Sequence, residues 1–125
     1  MTRVLLVEDE ELNRVLVRAI LARATTDAVR KVELVEAASL QLARAALDSG
    51  PVDVVLLDVN LPDGNGLTLA SDLHTLDGRP RVIALTASVL PHEREAAMSA
   101  GCDAFLDKPY AAQDLLDVLA AHLPS

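Results

Sequence analysis

Tryptophan is missing from this chain, and Phe105 and Tyr110 are its only other aromatic residues. Any core must therefore be built from Leu, Val, Ile and Ala, and with 51% of the 125 residues hydrophobic there is material enough for one. Cysteine occurs once, at Cys102, which excludes a disulfide within the chain and any four-cysteine zinc site, and points to a reducing compartment. Basic residues are scarce: 11 Lys and Arg stand against 19 Asp and Glu, a formal net charge of −8. Nucleic acid and anionic membranes both demand basic patches, so neither suits this chain as a main partner. No run approaches the roughly 18 consecutive apolar residues of a membrane span. The first ten residues carry Arg3, Glu8, Asp9 and Glu10, unlike a signal peptide. The expectation is one acidic, soluble, cytoplasmic domain over residues 1–125.

Two kinds of segment alternate. Short apolar runs at Val4–Val7, Val32–Val35, Val52–Leu57, Val82–Leu85 and Ala104–Leu106 suit strands buried on both faces. Helical patterns lie between them. Leu12, Val15, Leu16, Ala19 and Ile20 form a stripe at i, i+3, i+4, i+7 and i+8, which predicts the buried face of a first helix. Val17 and Leu21 add apolar surface on another side, either widening that buried face or forming a docking patch. Further helices are predicted over Ser39–Ser49, stopped by Gly50-Pro51, and over Leu67 to about Leu76. Two more run from Pro91 to Ala100, with Gly101 as cap, and from Ala111 to Leu123. Thr25–Lys31 is polar and reads as helix end or loop. Five successive β-α units imply an α/β fold: a doubly wound parallel five-stranded sheet with helices on both faces.

In such sheets ligands bind outside the carboxyl ends of the strands. Here the first strand ends in Glu8-Asp9, the third in Asp58, the fourth in Thr86, and the fifth is followed by Lys108. A single Asp after an apolar run is commonly a helix cap, but four strand ends aiming acids, a hydroxyl and an ammonium at one volume is a different matter. Crowded carboxylates invite a cation, and a hard divalent ion such as Mg²⁺ takes oxygen ligands and bridges to phosphate. A carboxylate can itself accept a phosphoryl group, with metal, ammonium and hydroxyl spreading over its oxygens. No histidine pair, activated serine or Gly-rich nucleotide loop competes; His74, His92 and His122 fall in helical segments and read as surface residues.

The segments VLLVEDE (Val4–Glu10), VVLLDVNLPDGNG (Val54–Gly66), ALTAS (Ala84–Ser88) and FLDKP (Phe105–Pro109) resemble receiver domains of bacterial two-component response regulators, either single-domain or part of a hybrid histidine kinase. That resemblance spans essentially the whole chain and implies the flavodoxin-like (βα)5 strand order 2-1-3-4-5. It implies Asp58 as phosphoacceptor, forming an aspartyl phosphate, and Glu8, Asp9, Asp58 and the backbone carbonyl of Asn60 as ligands of Mg²⁺ or Mn²⁺. Thr86 then resembles the switch hydroxyl, Lys108 the lysine that touches the phosphoryl group, and small Ala87 leaves its path open. Phe105 resembles the aromatic residue that changes rotamer on activation, and Lys108-Pro109 is a cis-peptide candidate. Implied partners are a histidine kinase or histidine-phosphotransfer protein and a downstream protein. The implied output surface is the α4-β5-α5 face, and no turnover of an external substrate is implied.

Departures from the family pattern carry information as well. Glu8 stands where Asp is common and reaches further toward a metal. Phe105 has no hydroxyl, and residues 25–31 hold an apparent excess of length. A phosphatase of the haloacid dehalogenase type is disfavoured because Asp58-Val59-Asn60 has an amide where a second acid is needed. A flavin mononucleotide binder is disfavoured because Glu8, Asp9, Glu10 and Glu11 would repel its phosphate.

Overall fold

The computed structural model describes residues 2–86 and 91–124. Its main strands are β1 (Arg3–Val7), β2 (Glu33–Ala37), β3 (Val54–Asp58), β4 (Arg81–Thr86) and β5 (Ala104–Asp107). The longer helices are α1 (Glu11–Ala22), α2 (Leu40–Asp48), α3 (Leu67–His74), α4 (Pro91–Ser99) and α5 (Ala112–His122). The strands pair in parallel in the order β2-β1-β3-β4-β5, the doubly wound arrangement expected from the sequence. A one-turn helix, Asp27–Arg30, occupies the polar stretch after α1, and Asn60–Leu61 pairs antiparallel with Gly64–Asn65 just after β3.

Alternation along the central strands divides the core into two layers. Leu5, Val7, Val55 and Leu57 pack with Ala43, Leu69, Leu73 and Ala97 of α2, α3 and α4. Val4, Leu6, Val54 and Leu56 pack on the other face with Val17 and Leu21 of α1 and Leu115 and Leu119 of α5. Every residue of β3 is buried, Asp58 included, so its position is fixed on both sides.

Two expectations need correction. Strand β2 is not buried on both faces and lies one to two residues later than Val32–Val35, because it pairs Arg3 with Glu33 and Val7 with Ala37. It is one sheet edge, and its exposed Glu33 and Glu36 suit that place, since charge on an edge discourages further pairing. Strand β5, also expected to be buried on both faces, is the other edge and only half-buried. The second correction concerns α1. Leu12, Val15 and Leu16 are 68%, 42% and 52% exposed, whereas Val17 and Leu21 are buried. The helix is turned by its polar residues: Arg14 and Arg18 reach Glu36 on the β2 edge at 3.5 and 3.1 Å. Asn13 and Arg14 also bond to Glu8, which forces the next inward positions, Val17 and Leu21, into the core.

Candidate functional site

The carboxyl ends of β1, β3 and β5 deliver the acids and the lysine to one place. Glu8 follows β1, its N–H donating to the Ala37 carbonyl at 2.9 Å, so the strand pairing carries through to the site. Its side chain is 2% exposed. One carboxylate oxygen accepts from the Asn13 amide at 3.0 Å and from the Lys108 ammonium at 2.8 Å. The other accepts from the Glu10 N–H at 3.3 Å. Asp58 closes β3; its Oδ1 accepts from the Asn60 N–H at 3.1 Å and its Oδ2 from Lys108 at 3.2 Å. Asp9 is exposed, and one oxygen from each of Glu8, Asp9 and Asp58 lies within 4.8 Å of the others.

The loop beyond Asp58 is drawn tightly back. Gly66 donates to the Val59 carbonyl at 2.7 Å, and a β-carbon at 66 would collide with the Asp58 carbonyl oxygen. Asp63, on the same loop, accepts the first-turn N–H groups of Leu40 and Gln41 at 2.9 and 3.0 Å, tying the loop to α2. On the other side, Lys108 N–H donates to the Thr86 carbonyl at 2.6 Å, which sets the half-buried Thr86 at the end of β4 beside the lysine's backbone. The Lys108-Pro109 bond is cis. Phe105 sits on β5, half-buried against the α2–α4 layer. Asn60 is exposed next to Asp58, and Ala87 lies outside the described residues.

Electrostatically the cluster is short of positive charge. Burial, then the neighbouring Glu8, pushes the Asp58 carboxyl up to about 6, against the opposing pull of Lys108. Burial also works to raise Glu8, but the closer hydrogen bond from Lys108, with the help of other donors, outweighs it and leaves that carboxyl below its ordinary value. Lys108 loses hydration, and its two acidic partners more than compensate, so its ammonium is favoured. Arg14 makes no ion pair with these carboxylates; its guanidinium donates to the backbone carbonyls of Glu8 and Asp9, at 2.8 and 3.1 Å, and pairs with Glu36. Two buried carboxylates thus share one ammonium, with a third carboxylate, Asp9, beside them. An all-oxygen donor set of this kind, partly open through Asp9, fits a hard divalent cation.

Asn13 and Arg14 were not singled out from sequence, although a polar pair in the first turn of a helix that starts beside two acids was the available signal. Asp63 lies within the segment Val54–Gly66, where nothing in the sequence marks its tie to α2. His74 and His92 are exposed, and His122 is half-buried with its Nδ1 2.8 Å from the Val118 carbonyl.

A β2-β1-β3-β4-β5 sheet with acids at β1 and β3 and a lysine after β5 defines a class, and sequence comparison agrees: residues 4–120 match the response regulator receiver domain family, to which this chain belongs. It is similar to the two-component response regulator ORR41 of rice, at 36% identity over 96% of this chain and 93% of that protein. It is also similar to the aerobic respiration control sensor protein ArcB of Escherichia coli, 37% identical over 85% of this chain but only 13% of that protein's length. Among solved structures, the receiver domain of the sensor histidine kinase PA1611 of Pseudomonas aeruginosa, with magnesium in its active-site cleft, superposes with a TM-score of 0.83. That match is 26% identical and covers 99% of this chain and 98% of the other. The chain is therefore a receiver domain of two-component signalling, with an acidic cluster capable of binding a metal ion. Among the described residues no helix is long and apolar enough to cross a membrane.

Proposed function

We propose that residues 1–125 form one phosphorylation-dependent module in which Asp58 accepts a phosphoryl group from a phosphohistidine, with Mg²⁺ or Mn²⁺, and the α4-β5-α5 face then changes to control a partner. The observation that carries this reading is the sharing of Lys108 between buried Glu8 and buried Asp58, beside a third acid. An Asp58 oxygen attacks phosphorus as the P–N bond breaks, and the departing imidazole takes a proton from solvent. Lys108 stabilises charge on the phosphoryl oxygens, and the Asn60 N–H holds the other carboxylate oxygen in place. The metal, held by Glu8, Asp9, Asp58 and the Asn60 carbonyl, supplies further neutralisation of phosphoryl charge when bound. The Thr86 hydroxyl then donates to the new phosphoryl group, past the small Ala87, and Phe105 responds by repacking. No external substrate is turned over.

The donor, a histidine kinase or phosphotransfer protein, docks on the exposed face of α1. Leu16 and Ile20 line an apolar groove of about 390 Å³ together with Pro109 and Tyr110, and Lys108 forms part of its wall. Incubation with acetyl phosphate and Mg²⁺ should add a single base-labile phosphoryl group to the parent and none to Asp58→Asn; labelling of that variant would overturn the assignment. Leu16→Ala should label normally from acetyl phosphate but about tenfold more slowly from a phosphohistidine protein, the loss expected when one apolar anchor is truncated.

A further inference from the structure

Away from the phosphoacceptor, one ion pair is built in an unusual way. Phe105 and Asp107 are two residues apart on β5 and therefore face the same side of the sheet, toward α4. Arg94 of α4 covers both. One of its terminal nitrogens pairs with Asp107 Oδ2, and its guanidinium carbon lies 4.8 Å from the centre of the Phe105 ring. The stack joins an aromatic face to a flat cation, a favourable contact. Yet the pair is only half satisfied. Arg94 Nε and Asp107 Oδ1 are buried and have no hydrogen-bond partner, the only side-chain atoms in that condition among the described residues. Buried polar groups left unpaired offset much of what the ion pair contributes. With both side chains more than a third exposed, the contact joins α4 to β5 and is weak enough to be given up.

Its position links α4 to the site. Asp107 is opposite Thr86 in the β4–β5 register and directly precedes Lys108. We propose that Arg94 is a latch of the resting state: paired with Asp107 and laid over Phe105, it holds α4 against β5, and the face can change only as that contact parts. The idea rests on the switching of the α4-β5-α5 face proposed above, but the latch itself acts in the unphosphorylated protein. An inward movement of Phe105 removes the ring from beneath the guanidinium and leaves Arg94 with the half-satisfied Asp107 pair alone. Lys would not replace Arg, since an ammonium lacks the plane that lies on the ring.

Because Phe105 is the only phenylalanine, fluorophenylalanine labelling gives one resonance that reports this position alone. Three proteins are compared without phosphate: the parent, Arg94→Ala, and Asp107→Asn, which removes the acid of the pair and leaves Arg94 and Phe105 unchanged. Amide hydrogen exchange along α4 should be about tenfold faster in both variants, as expected for a loosened local unit. In Asp107→Asn the fluorine resonance should move toward the position that the parent takes with beryllofluoride and Mg²⁺. Exchange along α4 equal to that of the parent in both variants overturns the latch, as does an unmoved resonance in Asp107→Asn. If the parent's own resonance ignores beryllofluoride, the proposed switching of the face fails, while the exchange measurement still decides whether Arg94 holds α4.

Discussion

The two ends of the same sheet treat their acids in opposite ways. At the amino-terminal end, Asp103 meets Arg79 in a two-pronged pair, both contacts 3.0 Å, and accepts the Val82 N–H at 2.8 Å. Burial works against its charge, but these bonds and the guanidinium charges win, and the carboxyl is held below its ordinary value. At the carboxyl-terminal end, Glu8 and Asp58 share Lys108 beside a third acid, Asp9, and Asp58 is pushed up to about 6. Asp103, with Arg79 and a second guanidinium, Arg81, at 3.5 Å, is one acid between two cations and a structural joint. Three acids with one cation form a site waiting for positive charge.

The largest expected effect lies at the structural end. Asp103→Ala strands Arg79 and the Val82 N–H and should cost about 3 kcal/mol at neutral pH, read by urea unfolding. The pH dependence has a definite sign. A carboxyl whose folded value is depressed contributes fully above its unfolded value, roughly 3.9, and loses that contribution as pH falls through the lower folded value. The gap between parent and variant should therefore shrink when the unfolding is repeated near pH 3. A gap that is constant with pH would mean that the Asp103 charge is not what stabilises this end.

At the site end the same kind of deletion should have the opposite sign. Asp58→Asn removes one of three crowded charges while an amide oxygen can still accept from Asn60 and Lys108. In chelator the variant should be more stable than the parent by about 1–2 kcal/mol. Millimolar Mg²⁺ should raise the melting temperature of the parent more than that of the variant, because metal stabilises whichever fold binds it. A destabilised Asp58→Asn in chelator would place Asp58 with Asp103, and the contrast between the two ends would collapse.

Only the site end of this contrast is legible in the sequence. Acids directly after apolar β-runs located Glu8, Asp9 and Asp58, and the β-α alternation fixed which strand ends they share. What was not legible was rotation and pairing. The apolar residues of α1 make two stripes, and periodicity cannot choose between Leu12-Val15-Leu16 and Val17-Leu21. The choice is made by Asn13, Arg14 and Arg18 binding Glu8 and Glu36, contacts between segments far apart in sequence. Asp103 escaped notice for the same reason: its partner Arg79 lies 24 residues away, and only the β4–β5 register brings them together. Arg94 likewise gains its meaning only once α4 lies across Phe105 and Asp107.

The smallest effect sharpens the comparison from a second acid at the amino-terminal end. Asp53, just before β3, accepts the Arg3 N–H through Oδ2 at 2.8 Å. Its own backbone N–H donates to the Arg3 carbonyl and its carbonyl accepts from the Arg81 N–H, at 2.9 and 3.0 Å, so the side chain adds one bond to the ladder that joins β1, β3 and β4. Arg3 is only half-buried, so in Asp53→Ala its N–H can turn to water instead of being stranded. The cost should be about 1 kcal/mol, that of one hydrogen bond to a charged acceptor with solvent as replacement. Because this acid stands at the far end of the sheet from the proposed metal ligands, Mg²⁺ should stabilise Asp53→Ala by the same increment as the parent. A metal increment that fell along with the stability would show that the two ends of the sheet are energetically joined, and that an acid at one end cannot be read without the acids at the other.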